Sequence, residues 1–155
     1  MAHVTLRDFD YPAIAQAFAA FGLTLRPDAL AVAVFDHGDA PPAVSDRQFR
    51  LDYLAARLQA NRRLSTFAFP AAAVPPIMTR LQAVADSAGA DPSVPVLVMD
   101  TAPAAVWGAW DDPVVRTHPS ALIANVGHFN CLAFQYRDGQ FVRLFEHHTG
   151  LLNQE

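Results

Sequence analysis

The feature that most limits the fold of this sequence is a set of three strand-like segments, the last two joined by a tight turn. They are ALIANVG at 121–127, NCLAFQY at 130–136 and QFVRLFEHH at 140–148. Asp138-Gly139 lies between the last two, and this dipeptide suits a two-residue hairpin in which both positions need positive φ. Strands joined this closely pair antiparallel, so the sequence predicts an antiparallel three-stranded meander.

The chain before the meander alternates helical and strand patterns. Apolar runs at 29–36 and 94–100 predict strands, the first of them buried on both faces because its polarity does not alternate. Helices are predicted at 10–21, 45–61, 76–89 and 101–110, and a short edge strand at 64–69. This order predicts one α/β domain over residues 1–155, with a mixed sheet, flanking helices and the C-terminal meander.

Composition narrows the classes of function. The net charge of −4 gives no basic surface for nucleic acid. No apolar run approaches the roughly 20 residues that cross a bilayer, so no membrane partner is expected. The first residues lack the apolar core of a signal peptide and the chain has a single cysteine, Cys131, which together predict a cytoplasmic protein. All eleven basic residues are Arg, which excludes P-loop and Schiff-base lysines.

Polar residues follow the predicted strands, and ligands of open α/β sheets bind beyond the carboxyl ends of strands. The candidates are Asp36 and His37, then Asp100 and Thr101, then Asn125, Gly127 and His128, and finally Glu146 and His148. Asp36, His37, Asp100 and Glu146 could hold a divalent metal ion. Glu146 or Asp100 could act as a general base, with His148 or His37 as the acid. Alternation along the last strand places Glu146 and His148 on one face and His147 on the other.

Structural roles compete with these functional ones. Asp36 and Asp100 at strand ends are often helix or turn caps, and His128 could be a solvated hairpin residue. Cys131 is expected to be a small core residue, and Trp107 and Trp110 to be core residues rather than a ligand platform. The arginines of the second predicted helix and its end are expected to form a solvated face; they are Arg47, Arg50, Arg57, Arg62 and Arg63.

Several segments together resemble a protein family of unknown function. They are DHGDAPPAVSDRQFR, MTRLQAV, VPVLVMDTAPAAVWGA, the pair NVG and LAF, and LFEHHTG, and the resemblance covers about residues 15–152. Members of that family carry the label "putative pyruvate formate-lyase activating enzyme". A true activating enzyme of that type ligates an iron–sulfur cluster through cysteines, and the single cysteine here means that no such cluster is expected.

That family is similar, in turn, to the actin, sugar-kinase and heat-shock-chaperone ATPases. The similarity implies an actin-like ATPase-type half that binds a phosphate compound, with Mg²⁺ and a nucleotide as cofactors. It implies that the hairpin after the strand at 121–127 faces the phosphate, through Asn125, Gly127 and His128, with Thr101 nearby. Asp100 and Glu146 would hold the metal or its waters. The family hairpin reads Asn-x-Gly-Asn-Gly-His-Thr, whereas Phe129 replaces the second glycine here.

Family members are considerably longer than this chain, so the resemblance implies a truncated or partial version of a two-lobed protein. Three functions follow from these observations. The first is a partial ATPase-like domain that binds a phosphate compound with a divalent metal. The second is a small metal-dependent hydrolase that uses the Asp, His and Glu cluster. The third is a non-catalytic interaction module whose exposed last strand completes a sheet with a second copy or a partner chain.

Overall fold

The computed structural model describes residues 7–88, 93–128 and 130–148. The helices of this part are α1 (Tyr11–Ala20), α2 (Asp46–Ala60), α3 (Thr79–Ala88), α4 (Thr101–Trp110) and α5 (Pro113–Arg116). Its strands are β1 (Leu30–Ala33), β2 (Ala68–Pro70), β3 (Val96–Met99), β4 (Ser120–Val126), β5 (Cys131–Arg137) and β6 (Gln140–His147). The predicted α/β class and the predicted C-terminal meander are both confirmed.

The strands form two separate three-stranded sheets. In the first sheet, β3 is central, with β1 parallel on one side and β2 antiparallel on the other, so this sheet is mixed as predicted. The second sheet is the antiparallel meander β4-β5-β6. Asp138 and Gly139 have φ values of 49° and 83°, which is the geometry that the hairpin prediction required.

Two predicted helices, α1 and α4, begin after an aspartate whose side chain caps the helix. The Asp10 side chain accepts a hydrogen bond from the Ala13 amide at the start of α1, and Asp100 caps α4 in the same way. The helix α4 has the predicted bounds. None of the helices in the described ranges is long and apolar enough to cross a membrane.

Some local predictions were wrong. The predicted edge strand at 64–69 begins as a 3₁₀ turn at Leu64–Phe67, and the extended part is only Ala68–Pro70. The strand β1 is not buried on both faces, because its exposure alternates along the chain. Apart from these predictions, α1 has no buried residues, and Phe21, just beyond the helix, is 84% exposed.

Buried apolar side chains form two groups. One lies between the first sheet and α3 and comprises Val34, Phe69, Met78, Leu81, Val84, Ala85, Ala88, Val96 and Val98. The other lies between α2, α4 and the meander and comprises Leu54, Leu58, Leu64, Phe67, Met99, Ala102, Val106, Ile123, Leu132, Phe134 and Phe141. Trp107 and Trp110 pack against the second group, as predicted for core residues. Tyr53 packs against both groups and so links the two halves of the fold.

The two faces of the meander differ in what they contact. One face, the inner face, carries Ile123, Phe134 and Phe141 into the second buried group. The strand register places Asn125, Leu132 and Glu146 side by side across the three strands on this same face. The opposite, outer face carries Leu122, Val126 and Phe145, which are 74%, 76% and 58% exposed.

Candidate functional site

A cavity of about 890 Å³ lies where the carboxyl ends of β1 and β3 meet the polar end of the meander's inner face. This volume is within the range of about 300–1,000 Å³ that is usual for small-molecule sites. The residues that line it are Phe35, His37, Arg47, Gln48, Arg50, Leu51, Thr101, Asn125, Gly127, His128, Asn130, Glu146 and His148. The structure therefore brings seven of the predicted site residues to one cavity. Asp36 and Asp100 lie behind its wall and are buried.

A buried arginine joins the two carboxylates that the sequence placed at different strand ends. Arg50 Nε and Nη2 donate to the two oxygens of Asp100, at 3.1 and 2.8 Å. Arg50 Nη1 donates to both oxygens of Glu146, at 2.5 and 2.6 Å. Asn130 Nδ2 also approaches Glu146 Oε1, at 3.4 Å. These contacts connect α2, β3 and β6, so the network ties the two sheets together at the wall of the cavity.

Asp100 and Asp36 also have the structural roles that were weighed against a site role. Asp100 Oδ1 accepts from the Ala102 amide at the start of α4, at 2.9 Å, and Asp100 Oδ2 accepts from the Asp36 amide, at 3.2 Å. The Asp36 carboxylate accepts from the amides of Gly38 and Leu81, both at 2.8 Å. Both carboxylates therefore act as caps, and their oxygens are already hydrogen-bonded to the protein.

Arg50 keeps its charge although it is only 1% exposed. Burial lowers the pKa of its guanidinium, but the hydrogen bonds and charges of Asp100 and Glu146 outweigh burial, so the pKa lies above its ordinary value. The guanidinium also stacks on the Phe35 ring, 4.5 Å from its centroid. The His37 ring meets the edge of the same phenyl ring at a centroid distance of 4.6 Å. Phe35 therefore separates the buried cation from the exposed His37.

The prediction of a solvated arginine face was wrong for Arg50 and Arg57. Arg57 is half-buried and donates to the Thr66 carbonyl oxygen through Nε and Nη2, at 2.9 and 2.7 Å. Arg50, Leu54 and Leu58 are the buried residues of α2 and lie four positions apart. This spacing puts them on one helix face, so the periodicity could have revealed Arg50. Arg47 is exposed as predicted, but it lines the cavity.

The face assignment predicted for the end of the last strand is confirmed. Glu146 pairs with Leu132 on the inner face, whereas His147 pairs with Cys131 on the outer face and is exposed. His148 follows the strand and lines the cavity together with Glu146. Asn125 is the counterpart of Glu146 across β5, as the meander predicted.

The hairpin between β4 and β5 closes through Gly127. The Gly127 amide donates to the Asn130 carbonyl oxygen at 2.8 Å, so this N–H group is used inside the hairpin. A Cβ atom at Gly127 would lie 2.9 Å from Asn130 Oδ1, so a larger residue would displace that side chain. His128 is exposed at the mouth of the cavity. Phe129, at the position where the resemblance implies a glycine, lies outside the described residues.

The described side chains are not arranged as a ready-made site for a metal ion. Among residues 7–88, 93–128 and 130–148, no group of three His, Cys, Asp or Glu side chains is placed to hold one. Of the four predicted ligands, Asp100 and Glu146 instead share the Arg50 cation, and Asp36 binds backbone amides. The metal site at Asp36, His37, Asp100 and Glu146 stays a prediction.

A cysteine-ligated cluster does not fit these 155 residues either, because Cys131 is their single cysteine and such clusters are bound by several thiolates. Cys131 is half-buried on the outer face of the meander, opposite Val126 and His147. It therefore lies on the other side of the sheet from Glu146 and the cavity. It also lies outside both buried apolar groups, so its prediction as a core residue was wrong.

The chain matches a known protein family over its whole length. A family model with the description "Putative pyruvate format-lyase activating enzyme (DUF1786)" matches residues 1–155. Searches of curated proteins and of solved structures found no match.

Proposed function

We propose, for a chain that belongs to the family described as "Putative pyruvate format-lyase activating enzyme (DUF1786)", that the cavity binds a small phosphate compound. The family description names an activity, but the chain lacks the cysteines that a cluster-dependent activating enzyme would need. The proposal therefore rests on the chemistry of the cavity and not on the family description.

The observation that carries this proposal is the excess of hydrogen-bond donors on the cavity wall. Among the described residues, its lining includes two arginines, three histidines, three side-chain amides and the Thr101 hydroxyl, against one carboxylate, Glu146. Guanidinium and amide groups donate, and phosphate oxygens only accept, so such a wall is complementary to a phosphate. The exposed Arg47 is the lining cation for which no carboxylate partner is seen within the described ranges.

A nucleotide is the phosphate compound that we propose first. The resemblance of the hairpin segment to actin-like ATPases favours it, and a cavity of about 890 Å³ has room for a base and sugar beside the phosphates. Asn125, His128 and Thr101 line the same cavity and would face the phosphates. Because Asp100 and Glu146 are engaged by Arg50, we propose that any Mg²⁺ enters with the nucleotide.

A second candidate function, an interaction module, is favoured by a different surface. Leu122, Val126 and Phe145 are exposed on the outer face of the meander, and large exposed apolar patches mark interaction sites. The strands β4 and β6 are both edges of their sheet, and an edge strand can pair with another chain. This candidate does not need the cavity. The metal-dependent hydrolase has no such support, because its carboxylates are engaged by Arg50 and backbone amides.

Thermal unfolding with pyrophosphate, with Mg²⁺-ATP and with Mn²⁺ alone tests the phosphate proposal. A ligand that binds only the native state at a hundred times its Kd stabilises the protein by about 2.7 kcal/mol. We expect both phosphate compounds to raise the Tm and Mn²⁺ alone to leave it unchanged. A rise with Mn²⁺ alone would favour the hydrolase instead.

The variant Arg47→Ala gives this experiment its specificity. We expect at least about tenfold weaker binding of pyrophosphate, because a hydrogen bond between charged groups contributes about 1.5 kcal/mol or more and about 1.4 kcal/mol changes Kd tenfold. Arg63→Ala is the matched control, since Arg63 is an equally exposed arginine that does not line the cavity. Equal losses in the two variants would mean that pyrophosphate responds to net charge only, and would contradict the proposal.

A further inference from the structure

The donor groups of Arg50 are divided unequally between two carboxylates. Asp100 binds the guanidinium edge formed by Nε and Nη2, which is the two-point geometry that Arg and a carboxylate prefer. Asp100 is also fixed by the amides of Ala102 and Asp36. For the remaining nitrogen, Nη1, the partner seen within the described ranges is Glu146. Asp100 is therefore the fixed partner of Arg50, and Glu146 is an additional one.

The charge balance of this cluster supports the same distinction. One guanidinium faces two carboxylates, so the three side chains together have a net charge of −1. Asp100 by itself neutralises Arg50, so Glu146 supplies the surplus negative charge. The side-chain exposures of Arg50, Asp100 and Glu146 are 1%, 5% and 13%. Glu146 is thus the most accessible member of the cluster, and it is the carboxylate found among the described residues of the cavity wall. A surplus charge at this depth is costly to keep.

We infer that Arg50 is the principal anion-binding group of the cavity, and that Glu146 occupies the ligand's position on it as an internal competitor. This inference rests on the proposed function, because it assumes that an oxyanion enters the cavity. A phosphate oxygen that replaces Glu146 on Nη1 keeps the charged hydrogen bond. Apart from Arg50, the contact seen for the Glu146 carboxylate within the described ranges is the long one from Asn130, so its displacement breaks little else.

The inference assigns Glu146 a role opposite to that of a base or metal ligand. A base or a metal ligand contributes to binding or to reaction, so its neutralisation weakens function. A competitor opposes binding, so its neutralisation strengthens function. The sign of the effect of one isosteric substitution therefore separates the two roles.

The test is the affinity of Glu146→Gln for inorganic pyrophosphate, measured by isothermal titration calorimetry at pH 7. The amide oxygen still accepts a hydrogen bond from Nη1, and Arg50 remains neutralised by Asp100, so the fold is kept. We expect pyrophosphate to bind about tenfold more tightly than to the wild type, a change of about 1.4 kcal/mol. Glu146→Asp, which withdraws the carboxylate by one methylene group, should give a smaller increase.

Asp86→Asn is the control for net charge, because Asp86 is an exposed carboxylate on α3 that does not line the cavity. Its affinity should equal that of the wild type. If the wild type binds pyrophosphate and Glu146→Gln binds it equally or more weakly, the competitor role is overturned and the proposed function stands. If neither the wild type nor either Glu146 variant binds pyrophosphate, the proposed function and this inference are both overturned.

Discussion

The inner and outer faces of the meander are built from alternate residues of the same strands, yet the inner face is largely buried and the outer face is largely exposed. Phe134 on β5 is fully buried, with its ring edge-on to Phe67 and Phe141 at centroid distances of 5.9 and 6.1 Å. Phe145 on β6 is 58% exposed. Both are phenylalanines in strands, so residue type and strand propensity alone do not distinguish them.

The difference shows that burial here depends on what α2 and α4 cover. Leu54, Leu58 and Val106 from these helices belong to the same buried group as the inner face. The polar end of that face, with Asn125 and Glu146, extends beyond this apolar cover and meets Arg50 and the cavity. One sheet face therefore serves both as core and as the wall of the candidate site.

The largest effect is expected from Phe134→Ala. Removal of a fully buried ring loses apolar burial and leaves a cavity, so we expect the free energy of unfolding to fall by about 4 kcal/mol. Urea denaturation followed by circular dichroism measures this change. Phe145→Ala is the matched control on the outer face and should lose far less. Similar losses in the two variants would contradict the assignment of the faces.

A somewhat smaller effect is expected from Arg50→Met, with a loss of about 3 kcal/mol at pH 7. The methionine keeps much of the side-chain volume but leaves the buried carboxylate of Asp100 and the half-buried carboxylate of Glu146 without their cation. Arg47→Met, an exposed change three positions earlier in α2, should alter stability by less than about 0.5 kcal/mol. A loss in Arg50→Met no larger than that in Arg47→Met would contradict a stabilising role for the Arg50 ion pairs.

The smallest effect on stability is expected from Phe145→Ser, within about 0.5 kcal/mol, because the side chain is mostly exposed. Its effect on association is the informative result. If the outer face binds a second copy, sedimentation velocity should show an oligomer of the wild type that this variant weakens. A monomeric wild type with unchanged sedimentation in the variant would exclude self-association through this face.

Several elements could be predicted from the sequence because local contacts determine them. The α4 bounds follow from the Asp100 cap, and the hairpin follows from Asp138-Gly139. The prediction for 64–69 was wrong because its apolar pattern suits both a strand and a 3₁₀ turn, and packing of Leu64 and Phe67 decided between them. The Arg57 contacts with the Thr66 carbonyl oxygen hold this turn against α2.

The candidate site was predicted in part. Strand ends and face alternation correctly indicated that His37, Thr101, Asn125, Glu146 and His148 would gather at one place. Arg50 was missed because arginine on a helix is usually solvated, and only its register with Leu54 and Leu58 indicates burial. Its role also requires partners that the chain supplies much later.

The sequence by itself determined the helix caps, the tight turn, the order of elements and the single cysteine. The tertiary structure decided which carboxylates Arg50 binds and which apolar face stays exposed. The physical reason is distance along the chain. A cap or turn is completed within about four residues, whereas Arg50 lies 50 residues from Asp100 and 96 from Glu146. Such contacts exist only once both sheets and α2 have packed together.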